Sequence, residues 1–301
     1  LDWRRDRAER AARTARTTSV LLPPRSAAPY LRQASLVFPL PTHPPALAAD
    51  WDAVGLVCGD PDARVRSVLF AVDPVMAVVD EAVRRGVDLV VTHHPLFLTG
   101  VHSVAAVTPG GRVVHTLVSR GIALMSAHTN ADHAHPGVSD ALASALGVQQ
   151  LRPLVPDPTD PATGTGRVGV LDEPMSLDAF AARVAHRLPA THHGVRVSGD
   201  GAAIVRTVAV CGGSGDAYLS EAAAVADVYV TSDLRHHRVL DHRQAGGCAL
   251  VDVAHWAGEW TWLPVAAAQL SVDLAARGTT VEVHVSEIPT DPWTAHLGST
   301  R

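Results

Sequence analysis

Five residues at three places along the chain have the types and spacing of metal ligands. Each group follows an apolar run, and together they are His93, His94, Asp132, His255 and Glu259. Residues four apart share one face of a helix, so His255 and Glu259 should point the same way. Imidazole and carboxylate groups together suit a divalent cation, and this set does not choose among Zn, Fe, Mn, Co and Ni.

These five candidate ligands are more than a single tetrahedral ion uses. A carboxylate has two oxygens and can bridge, so two ions sharing Glu259 fit the set. Two ions about 3.5–4 Å apart can generate a hydroxide at neutral pH and stabilise both the attacking and the leaving oxygen. A carboxylate that holds two cations is not free to accept a proton. Asp233 and His237 follow another predicted strand end, and we weigh a catalytic proton-carrier role for them against a surface loop.

The elements that must position these residues alternate between strand and helix. In the first half, residues 39–150, strands are predicted at Ser67–Val72, Val87–Val91 and Ile122–Ala127. The histidine pair follows the second strand, and the predicted loop His128–Asp132 follows the third. Open α/β sheets bind ligands at the carboxyl ends of their strands, which favours a shared site there.

The second half, residues 167–290, repeats this alternation after a loop at 155–166, and residues 291–301 form a tail. A single long helix, Trp256–Ala276, is predicted to carry the last two ligands. The predicted strands are Arg167–Leu171, Val195–Ser198, Thr207–Cys211, Val228–Thr231, Cys248–Ala254 and Thr280–Ser286. The fold class is therefore α/β, with a mostly parallel sheet covered by helices in each half.

Composition narrows the functional classes. No apolar run reaches the roughly 18 residues that a membrane span needs. Three scattered cysteines form no disulfide framework, which indicates a reducing compartment such as the cytoplasm. Residues 1–38 hold eight arginines against three acids and many prolines, and we predict a disordered extension there. The remaining chain carries a formal charge of −10, which is typical of a protein that does not bind nucleic acid.

Three further features have alternative interpretations. Asp52 flanks a turn that contains Gly55, and we favour a role in turn chemistry for it. Gly212-Gly-Ser-Gly215 resembles a phosphate-cradling loop between strand and helix, but such a turn is also typical of tight packing. The tryptophans Trp256, Trp260 and Trp262 favour a core or subunit interface over a stacking platform.

Six motifs stand in the order found in the GTP cyclohydrolase 1 type 2 homolog family, also called Nif-three-like dinuclear metal centre proteins. The chain resembles that family over roughly residues 40–290. The motifs are Asp50-Trp-Asp-Ala-Val-Gly-Leu-Val-Cys-Gly-Asp60, Thr92-His-His-Pro95, His128-Thr-Asn-Ala-Asp132, Val208-Ala-Val-Cys-Gly-Gly-Ser-Gly215, Thr231-Ser-Asp233 and His255-x-x-x-Glu259.

This resemblance implies a fold, an assembly and a metal arrangement. It implies two α/β domains in the compact form without an inserted middle domain, and a toroidal homohexamer. It implies that His94 and Asp132 hold one metal, that His93 and His255 hold the other, and that Glu259 holds both.

The resemblance also implies an activity, which is metal-dependent hydrolysis of GTP or a related nucleotide with attack at the purine C8 and release of formate. The alternative is a non-enzymatic metal-binding scaffold or regulatory interaction protein. The metal site is common to both hypotheses, so it does not separate them.

Overall fold

The computed structural model describes residues 43–298. The predicted extension, residues 1–38, lies outside this range, and the predicted tail is described as far as residue 298. Within the described range, no helix has the length and apolar character needed to cross a membrane. The α-helices of this part are α1 (Met76–Arg85), α2 (Pro109–Ser119), α3 (Thr129–His133), α4 (Val138–Ala145), α5 (Leu177–Arg187), α6 (Leu219–Val225), α7 (His236–Gln244), α8 (His255–Trp260) and α9 (Trp262–Ala276).

The first sheet has the strand order β1-β4-β3-β2-β11. Its strands are β1 (Gly55–Cys58), β2 (Ser67–Ala71), β3 (Leu89–Thr92), β4 (Ala123–Ser126) and β11 (Glu282–Val285). Every pair in it is parallel except β1 with β4. The central strands β3 and β4 are buried along their whole length, as expected for strands covered on both faces. The parallel arrangement brings the carboxyl ends of β3 and β4 to one edge.

The second sheet has the strand order β5-β6-β8-β9-β10-β7. Only β8 with β9 and β9 with β10 are parallel; the other three pairs are antiparallel. The prediction of a mostly parallel sheet is therefore right for the first sheet and wrong for the second. The strands are β5 (Val148–Pro156), β6 (Gly164–Ser176), β7 (Val195–Ser198), β8 (Ile204–Ser214), β9 (Val228–Ser232) and β10 (Ala249–Val253).

Strand β5 explains much of this difference, since the sequence analysis assigned no strand there. It pairs with β6 through the short connection 157–163, and a short hairpin makes two strands antiparallel. It contains two prolines, Pro153 and Pro156, which are typical of loops, so the sequence pattern did not predict a strand. It is an edge strand, which is where a sheet tolerates proline.

The last strand was assigned to the wrong half. The strand predicted at Thr280–Ser286 is observed as β11, but it pairs in parallel with β2 of the first sheet. A parallel neighbour needs a crossover, and α9 supplies it by packing against β2 and β11. The apolar pattern of a strand does not encode its partner, so the sequence alone did not show that the chain returns to the first sheet. The boundaries of the two predicted domains themselves stay a prediction.

The long helix predicted at Trp256–Ala276 is also wrong in detail. It is two helices, α8 and α9, which meet at Thr261. Pro264 has no backbone N–H to donate to the carbonyl of Trp260, and its ring clashes with that turn, so the helix cannot run through. The predicted core role of Trp262 is confirmed, because its side chain is buried against Phe70.

The buried His43 makes the stability of the fold depend on pH. Its Nε2 accepts a hydrogen bond of 3.3 Å from the indole N–H of Trp262. Burial, and secondly the neighbouring His93, lowers the pKa of His43 from 6.5 to about 4. Between these pH values the imidazole of His43 therefore binds a proton in the unfolded chain but not in the folded chain. The free energy of unfolding thus decreases as the pH falls from about 6.5 towards about 4.

We expect His43→Gln, which keeps an acceptor for Trp262 but has no titrating group, to weaken this acid sensitivity. Urea unfolding at pH 7 and pH 4.5 should show a loss smaller by about 2 kcal/mol in the variant than in the parent. An equal loss in both proteins would contradict the assignment to His43.

Candidate metal centre

The five predicted ligands converge around the carboxylate of Glu259. Its Oε1 lies 2.9 Å from His255 Nε2 and 3.4 Å from His93 Nε2, and its Oε2 lies 3.1 Å from His94 Nε2. Asp132 joins the cluster through its Oδ1, which is 3.7 Å from His93 Nε2. Residues from β3, the segment after β4, and α8 thus meet at the carboxyl ends of both sheets.

The end of β3 orients the histidine pair. The backbone N–H groups of His93 and His94 donate to the carbonyls of Ala71 and Val72, which continues the pairing of β3 with β2. His93 is fully buried, and its Nδ1 donates to the carbonyl of Ala127 at 2.9 Å. This bond directs Nε2 towards the cluster in the tautomer that a metal ligand needs.

The other ligands sit on short helices at the ends of strands. Asp132 lies on α3, so the loop predicted at His128–Asp132 is a helical turn. His255 is the first residue of α8, and Glu259 follows four positions later on the same face. Because α8 begins directly after β10, both side chains point to the same edge of the second sheet.

Gly213 gives the carboxylate of Glu259 its space. A Cβ at Gly213 would lie 2.5 Å from Glu259 Oε1 and 3.3 Å from His255 Nε2. Gly213 has a φ of +67°, and its backbone is part of β8. Among the two interpretations of Gly212-Gly-Ser-Gly215, tight packing is what the structure contains, and it packs against the metal ligands.

The pairing of the ligands that the resemblance implies stays a prediction. His94 Nε2 and His255 Nε2 are 3.3 Å apart, and both belong with Glu259 to a group whose ligand atoms lie within 4.8 Å of one another. Two ligands at about 2.1 Å from a tetrahedral ion lie about 3.4 Å apart. Glu259 Oε1 lies 3.4 Å from His93 Nε2 and 2.9 Å from His255 Nε2, and Oε2 lies on the side of His94, so the distances also fit His93 with His255 on one ion and His94 on the other.

Two buried atoms of the cluster fit a cation. Within residues 43–298, His93 Nε2 and Glu259 Oε2 are buried and make no hydrogen bond. Buried polar groups are normally satisfied, and here an imidazole nitrogen and a carboxylate oxygen face the same small volume. The donor set, the space left by Gly213 and these two atoms all suit a divalent metal ion, which the cluster could bind.

Electrostatics favour positive charge at the centre of the cluster. Burial alone would raise the pKa of Glu259, but the imidazoles of His94, His93 and His255 outweigh it and hold that pKa well below its usual range. In the same way burial disfavours the charged imidazoles, yet Glu259 and the carboxylate of Asp73 raise the pKa of His94 to about 11. The pKa of His255 rises to about 10. A metal ion binding here would displace protons.

Two outer carboxylates hold the histidines of the exposed side. Asp73 Oδ1 accepts from His94 Nδ1, and Asp233 Oδ2 accepts from His255 Nδ1, each at 2.7 Å. Such carboxylates fix the tautomer and orientation of a ligating imidazole. Asp233 has a φ of +57°, a conformation that non-glycine residues rarely adopt away from functional sites. The bond from His255 lowers the pKa of Asp233.

The two predicted proton carriers occupy different surroundings. Asp233 lies next to His255, whereas His237 is exposed in the first turn of α7, with its ring beside that of His236. Their catalytic role stays a prediction.

Sequence reasoning missed a third pair at the cluster, His128 with Asp52. Asp52 Oδ1 lies 2.9 Å from His128 Nδ1, and a ring nitrogen of His128 lies within 4.8 Å of ligand atoms from His93 and His94. Asp52 also accepts from the backbone N–H groups of Ala53 and Thr129. It therefore does more than shape the predicted turn. Both residues stand in the quoted motifs, but 76 positions separate them.

The comparisons with known proteins agree with this architecture. Residues 41–292 match the model of the Duf34/NIF3 (NGG1p interacting factor 3) family. The chain belongs to the Duf34/NIF3 family. A relative from Streptomyces coelicolor named GTP cyclohydrolase 1 type 2 homolog is 56% identical over 259 residues, covering 85% of this chain and 91% of the relative. A relative of the same name from Mycobacterium leprae is 37% identical, covering 86% of this chain and 93% of the relative.

Solved structures of NIF3-related proteins share the fold. A Bacillus cereus protein related to NIF3 superposes with a TM-score of 0.79 at 26% identity, covering 84% of this chain and 96% of that one. A hypothetical protein from Staphylococcus aureus gives a TM-score of 0.78 at 28% identity, with coverage of 85% and 95%. The alignment with the Mycobacterium leprae relative runs over 369 positions, so that relative holds residues absent from this shorter NIF3 family member.

A cleft of about 890 Å³ opens beside the candidate metal centre of this NIF3 family member. Its lining includes His94, His128 and His255, so a molecule in the cleft would meet the cluster. The predicted tail contributes Pro292 and Trp293 to the lining. The volume is typical of small-molecule sites.

Proposed function

We propose that the chain is a dinuclear-metal-dependent hydrolase that acts on GTP or a related nucleotide. The observation that carries the proposal is one buried carboxylate, Glu259, whose two oxygens lie 2.9–3.4 Å from three imidazoles at the side of a cleft. The names of the curated relatives support the substrate class. Two ions shared by Glu259, the cytoplasm and a homohexameric assembly are parts of this proposal.

The residues of the chain have separable tasks in such a reaction. His94, Asp132 and Glu259 would hold one cation, and His93, His255 and Glu259 the other. Two bound cations make water a stronger nucleophile at neutral pH and stabilise negative charge on the attacked group.

Proton movement falls to groups that are not ligands. Asp73 and Asp233 keep the two exposed imidazoles in the ligating tautomer. His128, held by Asp52 and facing the cleft, is placed to carry a proton, and so is Asp233.

The decisive experiment joins metal analysis to a product assay. Protein purified without chelators should carry about two divalent ions per chain, and incubation with GTP should release formate and a fluorescent pterin precursor, with His255→Ala as the blank. Two ions without hydrolysis of any nucleotide would refute the enzyme and leave the metal-binding scaffold. Protein that takes up no divalent ion would refute both.

The role of His128 can be tested by substitution. We expect His128→Gln to retain the parent metal content and to lower turnover by roughly 10²- to 10⁴-fold, because a positioned proton carrier contributes about that much. Loss of metal in this variant would instead make His128 a ligand of the group that contains His93 and His94.

A further inference from the structure

The charges around the cleft restrict which molecules it can accept. Three carboxylates line it, those of Asp73, Asp233 and Asp291. No arginine is among the described residues that line it, and the sequence contains no lysine. Its other titratable groups are imidazoles, of which His94 and His255 belong to the metal centre. The cleft therefore lacks the fixed cations that normally bind a phosphate chain.

Bound metal ions would not reverse this balance. Two divalent cations bring four positive charges. Asp132 and Glu259 together with the three carboxylates of the cleft bring five negative ones. With neutral imidazoles the loaded site is thus close to neutral or slightly negative. A nucleoside triphosphate carries about four negative charges at neutral pH, so it would meet like charge in a partly enclosed site, which costs affinity.

The walls of the cleft favour a flat, apolar body. Its lining includes Phe97, Leu98 and Trp293, together with Met76 from the start of α1. Leu98 and Trp293 are 51% and 61% exposed. Aromatic and aliphatic walls with a few polar groups at one end are typical of sites for ring compounds.

We infer that the cleft binds a heteroaromatic ring compound of low negative charge, such as a nucleobase or nucleoside, in preference to a nucleoside triphosphate. The inference rests on the proposed function for the metal centre and moves its substrate class from the nucleotide to the nucleoside or nucleobase. The ring would lie against the metal centre, and the described lining contains no arginine or lysine that could bind a phosphate chain. It concerns binding and not turnover, so it is tested separately from hydrolysis.

Equilibrium dialysis of the metal-loaded full chain with guanosine, GMP and GTP tests this, because the three share one base and differ in charge. Metal content is measured before and after each titration, since GTP can chelate metal. Guanosine should bind at least about tenfold more tightly than GTP, with GMP between them. Equal or tighter binding of GTP with the metal retained would overturn the inference. So would the failure of guanosine, adenosine and hypoxanthine alike to bind at millimolar concentration.

A pair of charge variants locates the effect. Asp291→Asn removes one carboxylate from the cleft and should narrow the difference between guanosine and GTP, whereas Asp172→Asn removes an exposed carboxylate that does not line it. Trp293→Ala should weaken guanosine binding without changing metal content. Equal effects of the two aspartate variants would overturn the charge argument. Metal-loaded protein that binds guanosine more tightly than GTP but releases no formate from GTP would refute the proposed hydrolase. This inference would then still stand.

Discussion

Replacement of Glu259 by glutamine is expected to remove both divalent ions from the protein. The side chain is buried, and its two oxygens between them lie 2.9–3.4 Å from the Nε2 atoms of all three imidazoles. The amide has nearly the same shape but carries no charge and offers a single acceptor oxygen. Loss of an outer partner of a ligand already costs about 10- to 100-fold in affinity, so loss of the shared ligand should cost at least about 100-fold at each site.

Asp132→Asn is the matched control for this prediction. Asp132 approaches only His93 among the three imidazoles, at 3.7 Å, and its side chain is 24% exposed. We therefore expect this variant to lose mainly one ion and to keep the other. Elemental analysis and titration calorimetry give the number of ions per chain, and circular dichroism checks the fold. One ion retained at full affinity in Glu259→Gln, or the same loss in both variants, would show that Glu259 is not shared.

The convergence of the five candidate ligands could be predicted from the sequence because their signals are local. An apolar run marks a buried strand, and a histidine or carboxylate directly after it lies at the carboxyl end of a sheet. The spacing of His255 and Glu259 fixes their common face as soon as a helix begins there. The order of the motifs along the chain then indicated that the three places form one site. The candidate ligand set could therefore be proposed without knowledge of the strand order.

The distances between these ligands could not be predicted, because they depend on how the two sheets face each other. His94 lies beside His255, 161 positions away, at a distance that the arrangement of the two sheets determines. The pair of Asp52 and His128 escaped notice for the same reason. Asp233 and His237 show the opposite case. They are close in sequence, but the turn at Asp233 directs it to His255, while His237 lies exposed in the first turn of α7.

The strands that were missed or misplaced have equally physical explanations. Strand β5 contains two prolines that only an edge position tolerates. Strand β11 is a short run of four residues whose partner is chosen by the path of α9. In both cases the local sequence pattern is compatible with the observed strand but does not determine it. The contacts that determine it come from residues distant in the sequence.

Gly213→Ala should disrupt the metal centre without unfolding the protein. The new Cβ would lie 2.5 Å from Glu259 Oε1, which is far closer than a van der Waals contact. The atom that must move is the end of a side chain, so the fold can accommodate the methyl group. It can do so only by shifting the carboxylate away from the imidazoles of His93 and His255. We therefore expect metal affinity to fall by about 10- to 100-fold or more, as for other changes that displace a ligand.

Gly86→Ala separates this effect from backbone strain. Gly86 ends α1 with a φ of +68°, against +67° for Gly213, but a Cβ there would have no neighbour within 4 Å. Both variants should lose roughly 1–2 kcal/mol of unfolding free energy in metal-free protein, which is the cost of the left-handed conformation for alanine. Only Gly213→Ala should lose metal. Parent metal content in Gly213→Ala, or the same metal loss in Gly86→Ala, would contradict the view that the space opposite Glu259 is kept for a shared carboxylate.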